Sequence, residues 1–219
     1  MAGRGSEFVP KLFAERKVGL YTTDLRIGGM GTSYLYQLQP ADILIPLETA
    51  FILPDIKDPS NWYQGLGWID EYRQAITFAA YVSQTIGINT SMVKEEEIKS
   101  FKDLLNPRWK GKLLLNDPTV PGTANRTIGF LLEIMGRDYL MELAKQEPVI
   151  VRDQRIHVEW LARGRYPVAI APLSDILLQF QNAGSPVKHL SMNEGEPMSA
   201  GHGAVALFKD APHSQPPQF

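Results

Sequence analysis

Cysteine is missing from all 219 residues. That excludes disulfides, thiolate metal sites and a cysteine nucleophile, but it does not fix the compartment. No stretch reaches the roughly 18 consecutive apolar residues of a membrane-spanning helix. Excess charge of one sign is also lacking. Lys and Arg total 22 against 24 Asp and Glu, for a net charge of −2. No basic field therefore favours nucleic acid or an anionic membrane. The catalytic signatures GxSxG and HExxH and the phosphate-binding P-loop are absent. Gly28 to Thr32, GGMGT, lacks the GxGxxG spacing of a dinucleotide loop. What remains is a chain that is 44% hydrophobic and 21% charged. That suits one large globular domain or two small ones. No internal repeat or low-complexity block stands out.

Strands and helices alternate along the chain. SEFVPKLFAERKVG predicts an amphipathic helix with Ser6 as N-cap, Pro10 tolerated early and Gly19 as the stop. DLRIGGMGTSYLYQL reads as a short strand, a glycine turn and a helix. Residues 40–70 look irregular. AITFAAYVSQTIGINT reads as one long strand or two in sequence. A short helix, a turn at Asn106-Pro107 and the buried strand KLLLN follow. TANRTIGFLLEIMGRDYLMELAKQEP predicts one or two helices. The strands VIV, YPVAIA, SPVKHLSM and GAVALFK then alternate with the helices HVEWLARG and SDILLQFQNAG. This cadence favours parallel α/β sheets. A helix near residue 6 with no strand before it, and a tail that dissolves into prolines, lead us to expect that both ends are truncated or altered. MAGRGSEFVPK has no apolar h-region, so either the protein is cytosolic or a secretion signal lies outside this sequence.

FKDLLNPRWKGKLLLNDPTVPGTA resembles a segment of type II periplasmic solute-binding proteins. It is closest to the extracellular family 1, or iron(III)-transport-like, group of ABC-transporter components. GRGSE, RIGG, YVSQTIGINT and GEPMSAGHGAVALFKDAPH fit the same pattern in the same order, so the resemblance covers almost the whole chain. It implies an α/β fold of two lobes with a ligand cleft between them, truncated at both ends. Lobe 1 would be residues 1–83 plus 197–219, and lobe 2 residues 84–196. Crossovers would lie near Tyr81–Asn89 and Pro197–Gly203. The first lobe-1 strand and the closing helices of the family pattern are missing, and the chain departs from that pattern at Ser214. The implied function is capture of a small anionic or zwitterionic solute by hinge closure and delivery to a membrane ABC permease. The protein would be a periplasmic or extracellular monomer with no cofactor and no enzymatic activity. A ligand-sensing or enzymatic domain on the same fold, or an iron-chelate binder, is the alternative.

The candidate ligand residues cluster at helix starts, where unpaired N–H groups and the helix dipole attract anions. In TVPGTANRT, Gly122 lets a ligand approach, Thr123 caps and donates its hydroxyl, and Asn125 offers its amide. Arg126 offers a two-pronged fork for a carboxylate or phosphonate. Thr123 also reads as an ordinary N-cap and Arg126 as a solvated first-turn residue. On lobe 1 the candidates are Arg4, Ser6, Gly31 and Thr32. Tyr81 stands at a crossover as an aromatic wall or a core residue. Ser174 follows the strand VAIAP and reads as a site residue or a cap.

No metal site is expected. Ferric sites favour phenolate and carboxylate oxygens, yet the chain has no Tyr-Tyr pair. His157, His189, His202 and His213 have no histidine partner four residues away. Asp153, Arg155, His157 and Glu159 crowd one segment, and a charged helix start explains them more simply than catalysis does.

Overall fold

The computed structural model describes residues 5–62 and 65–213, with the backbone alone for residues 5, 6, 81 and 199–202. In chain order the elements are α1 (Gly5–Lys17), β1 (Leu25–Gly28), α2 (Gly31–Ser33, continued by a π turn over Tyr34–Leu38), β2 (Leu44–Ile45), α3 (Pro54–Lys57), β3 (Ala75–Val82), β4 (Ile86–Asn89), β5 (Leu113–Asn116), α4 (Thr123–Lys145), β6 (Val149–Val151), α5 (Gln154–Ala162), β7 (Val168–Ile170), α6 (Ser174–Asn182), β8 (Val187–Leu190) and β9 (Met198–Phe208). The chain forms two compact units. One comprises the residues up to Tyr81 and those from Ser199 onward, and the other spans Val82–Met198.

In the first unit β9 lies between β1 and β2, antiparallel to both, and β3 also pairs with β9. Helix α1 covers this sheet. Phe8, Val9 and Leu12 recur at helical spacing and pack with Met30, Tyr34, Leu38, Leu44, Ala204, Ala206 and Phe208. Pro10 is accommodated within α1. The helix begins at Gly5, so Ser6 lies inside its first turn rather than at the cap.

The second unit holds the sheet β6-β5-β7-β4-β8. Strands β5, β6 and β7 are parallel, while β4 runs antiparallel to both of its neighbours, β7 and β8. The expectation of parallel sheets therefore holds for the β5–β7 core and fails for β4 and, in the first unit, for β1 and β2 against β9. Leu113, Leu114 and Leu115 are an unbroken apolar run because both faces of the sheet are covered. Leu113 and Leu115 pack on the face under α4 with Phe101, Leu104 and Trp109. Leu114 packs on the other face with Val158, Leu161, Ile176 and Leu177 of α5 and α6. The same alternation assigns Val168 and Ile170 to the α4 face and Ala169 to the opposite one. The result is three layers, α/β/α.

Helix α4 is two helical segments in sequence. Gly136 interrupts it with φ 82° and ψ 172°, a conformation that suits glycine. Beyond the break, Tyr139 donates its hydroxyl to the Phe101 carbonyl at 2.8 Å. That bond ties the second segment to the 101–105 turn. Strand β9 is longer than GAVALFK suggests, because it begins at Met198.

Candidate functional site

The parallel strands β5, β6 and β7 end on one edge of the second unit's sheet, and α4, α5 and α6 each start just after one of them. Helix starts with their positive dipole ends are thereby gathered where α/β sheets bind ligands. The reversed β4 brings its beginning to the same edge, with Ile86 beside Ile170 and Leu190. Ala171 then donates its N–H to the Thr85 carbonyl at 2.7 Å. Ser83, Gln84 and Thr85 thus join the ends of the parallel strands.

The loop after β5 is locked by its own polar groups. Asn116 is buried and donates to the Val151 carbonyl at 2.8 Å, which ties the end of β5 to β6. Asp117 accepts from the Thr119 N–H at 2.9 Å and from the Thr119 hydroxyl at 2.6 Å. Those bonds hold its carboxyl below the usual carboxylate range. Asn125 donates its amide back to the Pro118 carbonyl at 3.1 Å. It therefore holds the loop, and the expected ligand-facing amide is already engaged.

The start of α4 differs from the expectation for Thr123. Gly122 occupies the cap position, Thr123 is the first helical residue, and no side chain caps the helix. Arg126 donates its N–H to the Gly122 carbonyl at 3.1 Å. The N–H groups ahead of it have no intrahelical acceptor. Gly122 has φ 156° and ψ −158°, and no heavy atom lies within 4 Å of a Cβ built there. Gly122→Ala is therefore expected to cost about 1–3 kcal/mol through backbone strain alone. Urea unfolding should show a lower midpoint at unchanged slope.

Arg126 is half-buried, and its Nη2 donates to Ser83 Oγ at 2.6 Å. Ser83 is buried, and its own N–H donates to the Pro197 carbonyl at 2.9 Å. The guanidinium is thus positioned from the start of β4 as well as from α4. Glu196 completes the neighbourhood by accepting from the Thr85 N–H at 2.9 Å and the Thr85 hydroxyl at 2.8 Å. Burial pushes its carboxyl up. Sequence reasoning missed Ser83 and Glu196, since their roles depend on the antiparallel placement of β4.

Ser174 also departs from the cap reading. Leu173 holds the cap position of α6, and no side-chain cap bond is made. Just before it, buried Ala171 has φ 58°, an unusual value for a residue with a Cβ. Asp153 does cap α5, accepting from the N–H groups of Arg155 and Ile156, both at 2.8 Å. Glu159 pairs with Arg163, while His157 turns inward and is fully buried. The charged cluster at 153–159 is therefore dispersed. Ser100 donates to Glu194 but serves as a helix cap, accepting from the Lys102 N–H at 3.1 Å. Among the described residues, no group of three or more His, Asp or Glu side chains is placed to hold a metal ion.

In the first unit, Gly31 and Thr32 open α2, which Met30 precedes without a side-chain cap bond. Arg4 lies outside the described residues. The side chains of Ser6 and Tyr81 also lie outside the description, although the Tyr81 backbone belongs to β3.

No family model matches the chain. One curated relative, an uncharacterized protein of Haemophilus influenzae, is 27% identical over 158 residues, which is 65% of this chain and 45% of that protein. Solved structures align over nearly the whole chain. The periplasmic binding protein AfuA of Actinobacillus pleuropneumoniae, with fructose-6-phosphate bound, is 20% identical at a TM-score of 0.70 and covers 97% of this chain and 66% of its own. Iron-bound HitA of Pseudomonas aeruginosa is 15% identical at 0.67, over 96% and 66%. The substrate-binding protein of an Agrobacterium tumefaciens ABC transporter is 10% identical at 0.73, over 95% and 60%. The chain spans about half the length of the curated relative it matches and about two thirds of AfuA. Its fold is the two-lobed α/β fold of periplasmic substrate-binding proteins.

Proposed function

We propose that the chain is the solute-binding component of an ABC importer, and that it captures a small anionic or zwitterionic solute for a membrane permease. The observation that carries this reading is the start of α4. An uncapped helix start, approached through Gly122, lies one turn from a guanidinium held by Ser83. That donor set suits a carboxylate, phosphate or phosphonate group. The phosphorylated sugar bound to AfuA and the ABC transporter that the Agrobacterium protein serves support the solute class and the role. Thr123 and Ser174 add hydroxyls at the same sheet edge. Placement in the periplasm or outside the cell, a monomeric state and lobe closure on the solute belong to the same proposal.

Iron-bound HitA gives the second reading, a metal-chelate cargo, a specific footing. The test is a thermal-shift screen against phosphate, phosphonates, dicarboxylates and ferric citrate. A ligand at about 100 times its dissociation constant stabilises the fold by about 2.7 kcal/mol. Arg126→Ala should weaken an anion hit by roughly ten- to a hundredfold, because a charge-assisted bond is lost. Arg126→Lys should restore only part, since the lysine lacks the fork. An anion hit that is indifferent to both variants would remove the ligand from the start of α4. A coloured complex with ferric citrate would favour the chelate.

A further inference from the structure

The first unit buries a cation, Arg26, that no carboxylate among the described residues answers. Strand β1 reverses the usual pattern of a half-covered sheet, where apolar residues face in and charges face out. Leu25 and Ile27 are 45% and 66% exposed, while Arg26 between them is 7% exposed. The Arg26 guanidinium lies 4.3 Å from the centre of the Phe8 ring, on the first turns of α1. Its Nη2 donates to the Gly29 carbonyl at 3.1 Å, in the turn that leads to α2. Its Nε is buried and meets no acceptor. No carboxylate among the described residues pairs with it, and desolvation alone pulls its pKa below the ordinary arginine value.

An arginine keeps its charge in a protein interior, so relief must come from an anion rather than from proton loss. A ring face and one neutral carbonyl replace only part of the lost hydration. Removing water from a cation without supplying a partner is strongly destabilising. The arrangement makes sense if the partner comes and goes. The thirteen-residue helix α1 adds its positive N-terminal end on the side where Phe8 meets the guanidinium.

We infer that Arg26 is the charge receptor of an anion subsite on the first unit, taking a carboxylate, phosphate or phosphonate group through its unengaged Nε edge. The inference rests on the anion-binding reading above and adds a cation to it. The sequence pointed instead to Arg4, Ser6, Gly31 and Thr32 on this unit. A charged residue within a short strand carries no mark of burial in the sequence, so LRIG alone does not single out Arg26.

The test follows the arginine Nε–H signals in 1H–15N spectra, assigned with Arg26→Met, during titration with inorganic phosphate at constant ionic strength. Thermal melts accompany it. The Arg26 signal should shift and saturate. Arg26→Met keeps a long apolar stem against Phe8. It should therefore melt at or above the wild-type temperature without phosphate, yet lose the phosphate-dependent rise, with affinity down about tenfold or more. Arg26→Lys should retain part of that rise. An unmoved Arg26 signal overturns the inference, and so does an Arg26→Met protein that melts lower but still responds fully to phosphate. Arg126→Ala, run in parallel, separates the two sites. Loss with Arg126→Ala alone removes Arg26 from binding and leaves the α4 site standing, whereas loss with Arg26→Met alone does the reverse.

Discussion

Gly87→Ala lowers the unfolding free energy by about 1–3 kcal/mol, the usual cost of overpacking, and Gly87→Val lowers it further. Gly87 lies mid-strand in β4 on the face covered by α5 and α6. A Cβ built there would meet Leu177 Cδ1 at 2.8 Å, Pro172 Cγ at 3.1 Å and Leu161 Cδ2 at 3.3 Å. Leucine tips often give way, but Leu161 and Leu177 are themselves fully buried, and Pro172 is a rigid ring. The strand is anchored on both sides by β7 and β8, so it cannot retreat. Gly129→Ala is the counterpart with opposite sign. Gly129 is exposed on α4 with nothing within 4 Å of its would-be Cβ, so the change should stabilise by about 0.5–1 kcal/mol. Urea denaturation of both variants checks the pair. Equal shifts would mean that the α5 and α6 layer is looser on β4 than these distances imply.

Gly87 also illustrates what the sequence made legible. AITFAAYVSQTIGINT reads as one long strand or two in sequence, and it holds two, β3 and β4, with the buried β4 in its last six residues. Nothing in six residues says which way a strand runs, because a short buried strand has the same composition in either direction. The parallel expectation therefore failed at β4, and with it went any view of Ser83 and Thr85 beside the ends of β5 and β7. The starts of α4 and α6 were readable to within a residue, whereas α5 begins three residues ahead of HVEWLARG and α1 begins at Gly5 rather than after Ser6; that is enough for the fold but not for the chemistry. Moving the cap from Thr123 to Gly122 turns Thr123 from a capping residue into an uncommitted hydroxyl, and Ser174 changes in the same way. Asn125 was read as a donor from its type alone, but whether its amide is engaged depends on the loop returning to Pro118. The two-layer covering of β5 could be read from LLL itself. The inverted burial of Arg26 could not, since it contradicts the rule by which strands are read.

Acidification from pH 7 to pH 4 is expected to destabilise the second unit by on the order of 3 kcal/mol through one histidine. His157 is fully buried on α5, against β5. Neither ring nitrogen meets hydrogen-bond geometry, although the nearby Leu114 backbone softens the effect of burial. Burial pushes its pKa down to about 4 from an ordinary 6.5. The unfolded chain therefore takes up a proton below about pH 6.5, while the folded chain resists until about pH 4. Stability is full above the upper value and falls through the window, at 1.36 kcal/mol per pKa unit. His189, half-covered and also shifted down by burial, adds in the same direction. Glu196 opposes them, since a carboxyl raised by burial favours the folded state as pH falls. The carboxylates held low, such as Asp24 and Asp117, release their contribution only below about pH 4, so the histidine window stands apart from theirs. His157→Leu removes a buried ring with no well-formed hydrogen bond and should flatten the profile between pH 6.5 and 4, leaving the acid limb below it intact. Urea unfolding at half-unit pH steps reads this out. A wild-type profile that is flat across that window would mean that His157 already carries its proton when folded, with a partner or water in the core to hold it.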